Sequence, residues 1–163
     1  MEKIDKIKRL NILNETVDGA KGSAFAEIDG RRFVLANVTK MKFKMKVNSS
    51  KHGVLGLTGK QNKPAGWEGT WEATMYYNQS TLRELARKYN EDGILPTINI
   101  QVVNEDPASI AKIGRQSVTF IDCIAEEFTL AALDVETDAL EEDVSGTFND
   151  FRFNDKFTDL PTA

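Results

Sequence analysis

The chain has 163 residues, 40% hydrophobic and 28% charged, with a formal net charge of −4 and one cysteine. That length suits a single domain, and Cys123 alone excludes an internal disulfide framework or a multi-cysteine zinc site. No run approaches the ~18 apolar residues that span a bilayer, and residues 1–14 lack a signal peptide's apolar core, so a soluble protein not visibly exported is expected.

Charge is unevenly placed. Residues 1–63 carry 14 basic and 6 acidic side chains, a balance of +8, whereas residues 64–163 carry 7 basic and 19 acidic ones, a balance of −12. A chain with one basic and one acidic part attracts its own copies if folding puts the two on different faces.

At the N-terminus Ile4, Ile7, Leu10 and Leu13 recur among charged residues. So short a helix is marginal alone, and residues 1–14 read as an arm ahead of one domain over 15–163. Ala24, Ala26 and Ile28 then alternate, and Asp29-Gly30 before Phe33-Val34-Leu35 predicts a two-residue hairpin. Lys40, Lys42, Lys44 and Lys46 alternate strictly with Met41, Phe43, Met45 and Val47, which predicts a strand with one lysine face and one apolar face. A partner to that lysine row must be acidic, because burying it uncompensated is too costly.

Residues 48–69, with Gly53, Gly56, Gly59, Gly66, Gly69 and Pro64, read as a long glycine-rich loop. Compact domains rarely keep such a loop unless it is functional or disordered, and this one is expected to be mobile in a free subunit and to order against a neighbouring subunit or ring. It is no phosphate-binding loop, since Gln61 follows Gly59-Lys60. Gly69 to Tyr77 reads as a strand. Thr81 and Glu84 predict a capped start to a helix over about 81–92, with a Leu82, Leu85, Ala86 and Tyr89 stripe, a Glu84–Lys88 pair and a stop at Gly93. Thr97–Val103 and Ser117–Cys123 read as antiparallel partners, with further strands near Ala125–Leu133 and Asp143–Arg152. The expected fold is mainly β, an antiparallel sandwich or partial barrel with one flanking helix.

Catalytic material is sparse. His52, the single histidine, lies in the glycine-rich stretch, away from Cys123 and from any serine motif. The acidic run from Asp134 fails as a calcium loop, with Ala139 where glycine belongs and Ser145 where a bidentate Glu belongs. No catalytic residue, metal site or cofactor motif is assigned. Two alternatives stay open on residues alone: a small-molecule-binding or enzymatic β-domain, which needs a pocket gathering His52, carboxylates and tryptophans, and a single-strand nucleic-acid module using the lysine face with Trp67, Trp71 or Tyr76.

Three segments in order resemble the tail tube proteins of contractile-tailed phages, of the type in Gram-positive prophages and phage-tail-like bacteriocins. They are the lysine strand entering the glycine-rich stretch, Gly69 to Tyr77 with its helix, and Leu133 to Val144 followed by Thr147-Phe148 and Asp150-Phe151. The resemblance spans about Asn14 to the C-terminus. It implies a structural subunit forming hexameric rings that stack into a tube inside a contractile sheath, with sheath and baseplate or initiator proteins as partners, DNA only in transit, no membrane and no cofactor. It implies a place in the virion tail, with assembly in the bacterial host cytoplasm. On that reading the candidate subunit contacts are Lys40, Lys42, Lys44, Lys46, His52, Lys60, Trp67, Asp134, Glu136, Asp138, Glu141, Glu142 and Asp143, the lysines meeting the carboxylates of another copy.

Overall fold

The structure, a computed structural model, describes residues 17, 19–28, 30–35 and 37–158. The arm expected at 1–14 lies outside the described residues. The elements are β1 (Gly22–Ile28), β2 (Arg31–Val34), β3 (Val38–His52), β4 (Gln61–Tyr76), α1 (Thr81–Asp92), β5 (Ile98–Asn104), a one-turn α2 (Ile110–Ile113), β6 (Gln116–Glu127), β7 (Glu141–Phe148) and β8 (Asp150–Asp155). All pairings are antiparallel, in the order β2-β1-β5-β6-β7-β4-β3, with β8 on β6. This is the mainly β architecture with one flanking helix that the sequence pattern predicts.

β6 makes the sheet fold back on itself. Its first part pairs with β5 and β8, and its last residues pair with β7. Between them Asp122 takes φ 55° and the register against β5 slips between Ile98 and Ile100. An extra residue in a strand bends it and leaves an N–H without a ladder partner; here the Asn99 Oδ1 accepts the Asp122 N–H at 3.2 Å. The bend brings the inner faces together, and Phe43 of β3 stacks on Phe120 of β6 with ring centroids 3.7 Å apart. Ala26, Trp71, Ile100, Cys123, Val144 and Phe148 complete the buried core around them. Gly146 is required where β7 pairs with β6, since a Cβ there would lie 1.7 Å from the Ile124 carbonyl oxygen.

Several boundaries differ from the sequence reading for local reasons. The β1–β2 turn is as expected, with Ile28 opposite Arg31 and Gly30 at φ 77°. Ala125–Leu133 is not a separate strand, because β6 runs unbroken to Glu127 and residues 128–140 are irregular. Asp143–Arg152 divides into β7 and β8 about Asn149, both aligned along β6. In α1 the N-cap position is Ser80 with no side-chain cap bond, in place of a Thr81–Glu84 capping box, while Gly93 closes the helix in the left-handed conformation as expected. The i,i+4 ion pair it forms is Arg87–Glu91 at 2.7 Å rather than Glu84–Lys88.

α1 lies across the sheet with Leu82 and Leu85 against the core, over an apolar cavity of about 240 Å³. None of its residues is fully buried, so apolar packing alone holds it weakly. Arg83 supplies the anchor. Its guanidinium donates to Glu142 Oε2 at 2.5 Å, to the Thr129 carbonyl at 3.3 Å and to the Gln79 carbonyl, and lies 4.2 Å over the Tyr77 ring. Glu142 is buried, so removing it strands a cation in a largely dry site. Glu142→Ala is expected to cost about 3 kcal/mol, near the lower end for breaking a buried pair because two carbonyls still face the guanidinium. Urea denaturation checks this: the midpoint falls at unchanged slope, while the exposed neighbour variant Glu141→Ala stays within about 0.5 kcal/mol.

Candidate subunit interface

Strand alternation defines this surface. Along β3 the apolar face carries Met41, Phe43, Met45 and Val47, and the first two pack on the core. The core ends there. Met45 and Val47 keep the same alternation yet remain 50% exposed each, beside Trp67, which stands opposite Val47 in β4 and is itself exposed. Trp67 touches the core only at its margin, with Phe148 and Phe151 at ring-centroid distances of 6.0 Å. A strand that continues its apolar face past its own core offers that face to another surface.

Beyond this patch β3 and β4 continue as a two-stranded ribbon, Ser49 to His52 against Gln61 to Pro64. The glycine-rich loop expected over 48–69 is therefore mostly strand, and only residues 53–60 join the two. Every residue from 51 to 68 is exposed, so no alternation of burial marks the ribbon in the sequence. Gly66, at φ 92°, falls at the bulge between Val47 and Ser49 that offsets the two parts of the ladder. A ribbon with both faces wet is marginal by itself.

The lysine row meets carboxylates of its own chain first. In register Lys42 stands opposite Glu72 and Lys46 opposite Glu68, and Lys44 Nζ lies 3.8 Å from Glu72. All are exposed, so each such pair contributes only ~0.2–1 kcal/mol. Asp143 sits two strands away on the same sheet face, accepting a hydrogen bond from the Thr74 hydroxyl at 2.8 Å. Glu142 corrects the sequence reading: it points inward to Arg83 and is unavailable to a lysine of another copy. Glu141 is exposed at the start of β7.

His52 and Lys60 stand near the ribbon's far end, His52 with its Nε2 2.9 Å from the Ser50 hydroxyl. Trp71 is buried in the core and donates to the Thr147 carbonyl at 3.2 Å. His52, Trp67 and Trp71 thus line no common pocket among the described residues, and no group of three His, Cys, Asp or Glu could hold a metal among them. No described helix is long and apolar enough to cross a membrane. Asp134, Glu136 and Asp138 lie in the loop between β6 and β7. There Asp134 accepts from the Thr137 hydroxyl at 2.6 Å and the Glu136 N–H at 3.0 Å, and these two bonds hold its carboxyl below the usual carboxylate range.

The residues that the sequence reading missed are apolar ones in irregular segments: Val54, Leu55 and Leu57 at the ribbon tip, and Leu130, Leu133 and Val135 in the 128–140 loop, all exposed. Their signal was present as large apolar residues inside segments too polar or glycine-rich to bury them.

An antiparallel β-domain with an apolar strand face and a long ribbon left uncovered belongs to the class of self-associating structural subunits. The comparisons narrow this. The phage tail tube protein family matches residues 12–155, and the chain belongs to that family. It is 31% identical over 144 residues to the phage-like element PBSX protein XkdM of Bacillus subtilis strain 168, covering 88% of this chain and 94% of that one. Its fold is similar to a chain of the anti-feeding prophage baseplate, solved with six-fold symmetrisation (TM-score 0.66, 11% identity, 85% of this chain and 95% of that one). It is similar also to a chain of the extended sheath–tube complex of an extracellular contractile injection system (TM-score 0.62, 6% identity, 85% and 91%). The chain is thus a structural subunit of a phage tail tube, and a component of the virion tail.

Cys123 takes no part in this surface. It is fully buried, and burial pushes its thiol up to about 12, so it stays protonated at neutral pH. A raised thiol pKa contributes stability that is complete below the unfolded value of ~8.5 and is lost as pH rises through the folded value. Iodoacetamide at pH 8 is expected to leave the native protein unmodified and to alkylate Cys123 fully in urea, read by intact mass. Native alkylation at the denatured rate would contradict the packing described for β6.

Proposed function

We propose that copies of this chain close into hexameric rings through the exposed apolar face of β3, and that the rings stack into a hollow tube within a contractile sheath. The observation that carries this is the persistence of strict alternation through Met45 and Val47 beyond the edge of the subunit's own core. β3 also ends the strand order, so its outer edge has no strand partner among the described residues. Pairing that edge with a neighbour satisfies its backbone groups and covers Met45, Val47 and Trp67 together, which is the same step that hides an aggregation-prone edge. Apolar contacts supply most of the affinity, and Lys40, Lys42, Lys44 and Lys46 form a polar rim that fixes register.

The six-fold baseplate and the sheath–tube complex, whose chains share this fold, support the ring and the sheath as partners. On this reading the subunit catalyses nothing, assembles in the host cytoplasm on a baseplate or initiator, and lets DNA pass through the lumen when the particle is a phage.

Sedimentation velocity tests the ring contact. Wild type is expected to shift from monomer to ring-sized and larger species as concentration rises. Met45→Asp with Val47→Asp is expected to remain monomeric, and its melting temperature should stay close to wild type because both side chains lie outside the core. Equal self-association of the double variant and wild type would contradict this contact.

A further inference from the structure

The outer face of the sheet formed by β3, β4, β7 and the end of β6 carries no apolar side chain from Lys40 to Lys46. Residues directly opposite each other in antiparallel strands share a face. Lys40, Thr74 and Asp143 form one rung of this face, Lys42, Glu72 and Ser145 the next, and Lys44, Thr70 and Thr147 the third, with Lys46 beside Glu68 beyond them. Glu127 stands opposite Ser145, and Glu126 accepts a hydrogen bond from the Thr147 hydroxyl at 3.4 Å. The alternate residues Phe43, Trp71, Ala73 and Val144 turn to the core. With nothing to bury, the outer face stays in water.

Alone, the lysine row would be a track for a polyanion. It places a cation every ~7 Å along one strand, and such rows hold phosphate backbones by charge without reading bases. The row has no stacking tryptophan beside it, because Trp71 stands opposite Phe43 and Trp67 opposite Val47, both on the other face. Tyr76 lies beyond the rungs, opposite Glu141. Retention by the row is therefore a matter of charge.

That charge is cancelled within the chain. The four lysines share the face with Glu68, Glu72, Glu126, Glu127 and Asp143, a balance of −1. Neighbouring strands lie ~4.8 Å apart, against a Debye length of ~10 Å at 0.1 M salt, so a strand lying on the face feels the sum of the rows. Glu72 is the most central carboxylate, opposite Lys42 and 3.8 Å from Lys44 Nζ. It lines two shallow grooves, one with Lys40, Glu127 and Asp143 and the other with Lys42, Lys44 and Glu126.

We propose that Glu72 and Glu68 screen the lysine row, so that nucleic acid meeting this face is not retained. The inference rests on the tube reading above: in a hollow tube the face with nothing to bury borders the bore, and an unscreened row repeated around every ring would hold a passing phosphate backbone. The two carboxylates act as repulsive elements that specify against a partner the lysines would otherwise take.

Fluorescence anisotropy of a labelled single-stranded oligonucleotide with the dilute full-length chain tests the screening. Wild type is expected to give no binding. Glu68→Gln with Glu72→Gln is expected to bind, with affinity falling about twentyfold between ~50 and ~200 mM salt, the slope for three freed lysine–phosphate contacts. Adding Lys42→Gln and Lys44→Gln to that chain is expected to abolish binding. Glu84→Gln with Asp92→Asn removes the same charge from exposed positions of α1 and is expected to leave the oligonucleotide free. An unchanged melting temperature verifies that each variant folds. Equal binding by wild type, equal binding by the α1 variant, or no binding by the Glu68 and Glu72 variant overturns the screening. With oligonucleotide added before assembly, tubes of the Glu68 and Glu72 variant are expected to carry it into the pellet, and wild-type tubes to leave it in the supernatant. Variant tubes that leave it in the supernatant overturn the placement of this face at the bore. Absence of tubes from wild type at any concentration, also with baseplate components added, overturns the tube reading, and the dilute chain then decides the screening by itself.

Discussion

A β-strand places every second side chain on the same face, and it does so whether or not the subunit has a core to cover them. In this protein that constraint is carried by β3. Met41 and Phe43 reach the core, and Phe43 meets Phe120 because the bulge at Asp122 folds β6 and its neighbours back over β3. Two residues later the core has ended, but the pleat continues, so Met45 and Val47 face outward. The subunit is folded and yet incomplete at one margin. Lengthening the core to cover them would remove the apolar surface that association requires, and shortening β3 would remove the ribbon that projects beyond it.

The remaining parts serve to hold that margin in place. α1 covers one side of the inner core, and its anchor is a charge pair rather than a buried apolar stripe. The Arg83–Glu142 contact ties the helix to the start of β7, which is the strand that pairs with β4 along eight registered positions. Gly146 allows β7 to pair closely with β6, and Phe148, two residues further along β7, fills the space left open at Gly69. A rigid inner half of β4 is what allows its outer half to extend, wet on both faces, without collapsing onto the domain.

Much of this was legible in the sequence where local chemistry and burial agree. Asp29-Gly30 specified the hairpin turn, Gly93 specified the helix stop, and the Lys–Met alternation specified β3 and the direction of its apolar face. The ribbon was not legible, because residues 51–68 are exposed on both faces and a ladder held by backbone hydrogen bonds leaves no apolar period. Its glycines suggested a loop, although Gly66 marks a bulge and Gly69 makes room for a ring. The inward turn of Glu142 is not legible either, since nothing in Glu141-Glu142-Asp143 tells which of three carboxylates meets Arg83, 59 residues earlier. The charge asymmetry between the halves of the chain was legible as a sum, but which lysines stand opposite which carboxylates depends on strand register, which composition does not encode.

The measurement that reaches the central claim most directly is a cryo-electron microscopy reconstruction of the assembled chain. The account predicts hollow tubes of uniform width in which the outer edge of β3 is hydrogen-bonded to a strand of the neighbouring subunit, with Met45, Val47 and Trp67 buried between them. Tubes in which β3 faces solvent and those three side chains stay exposed would contradict it.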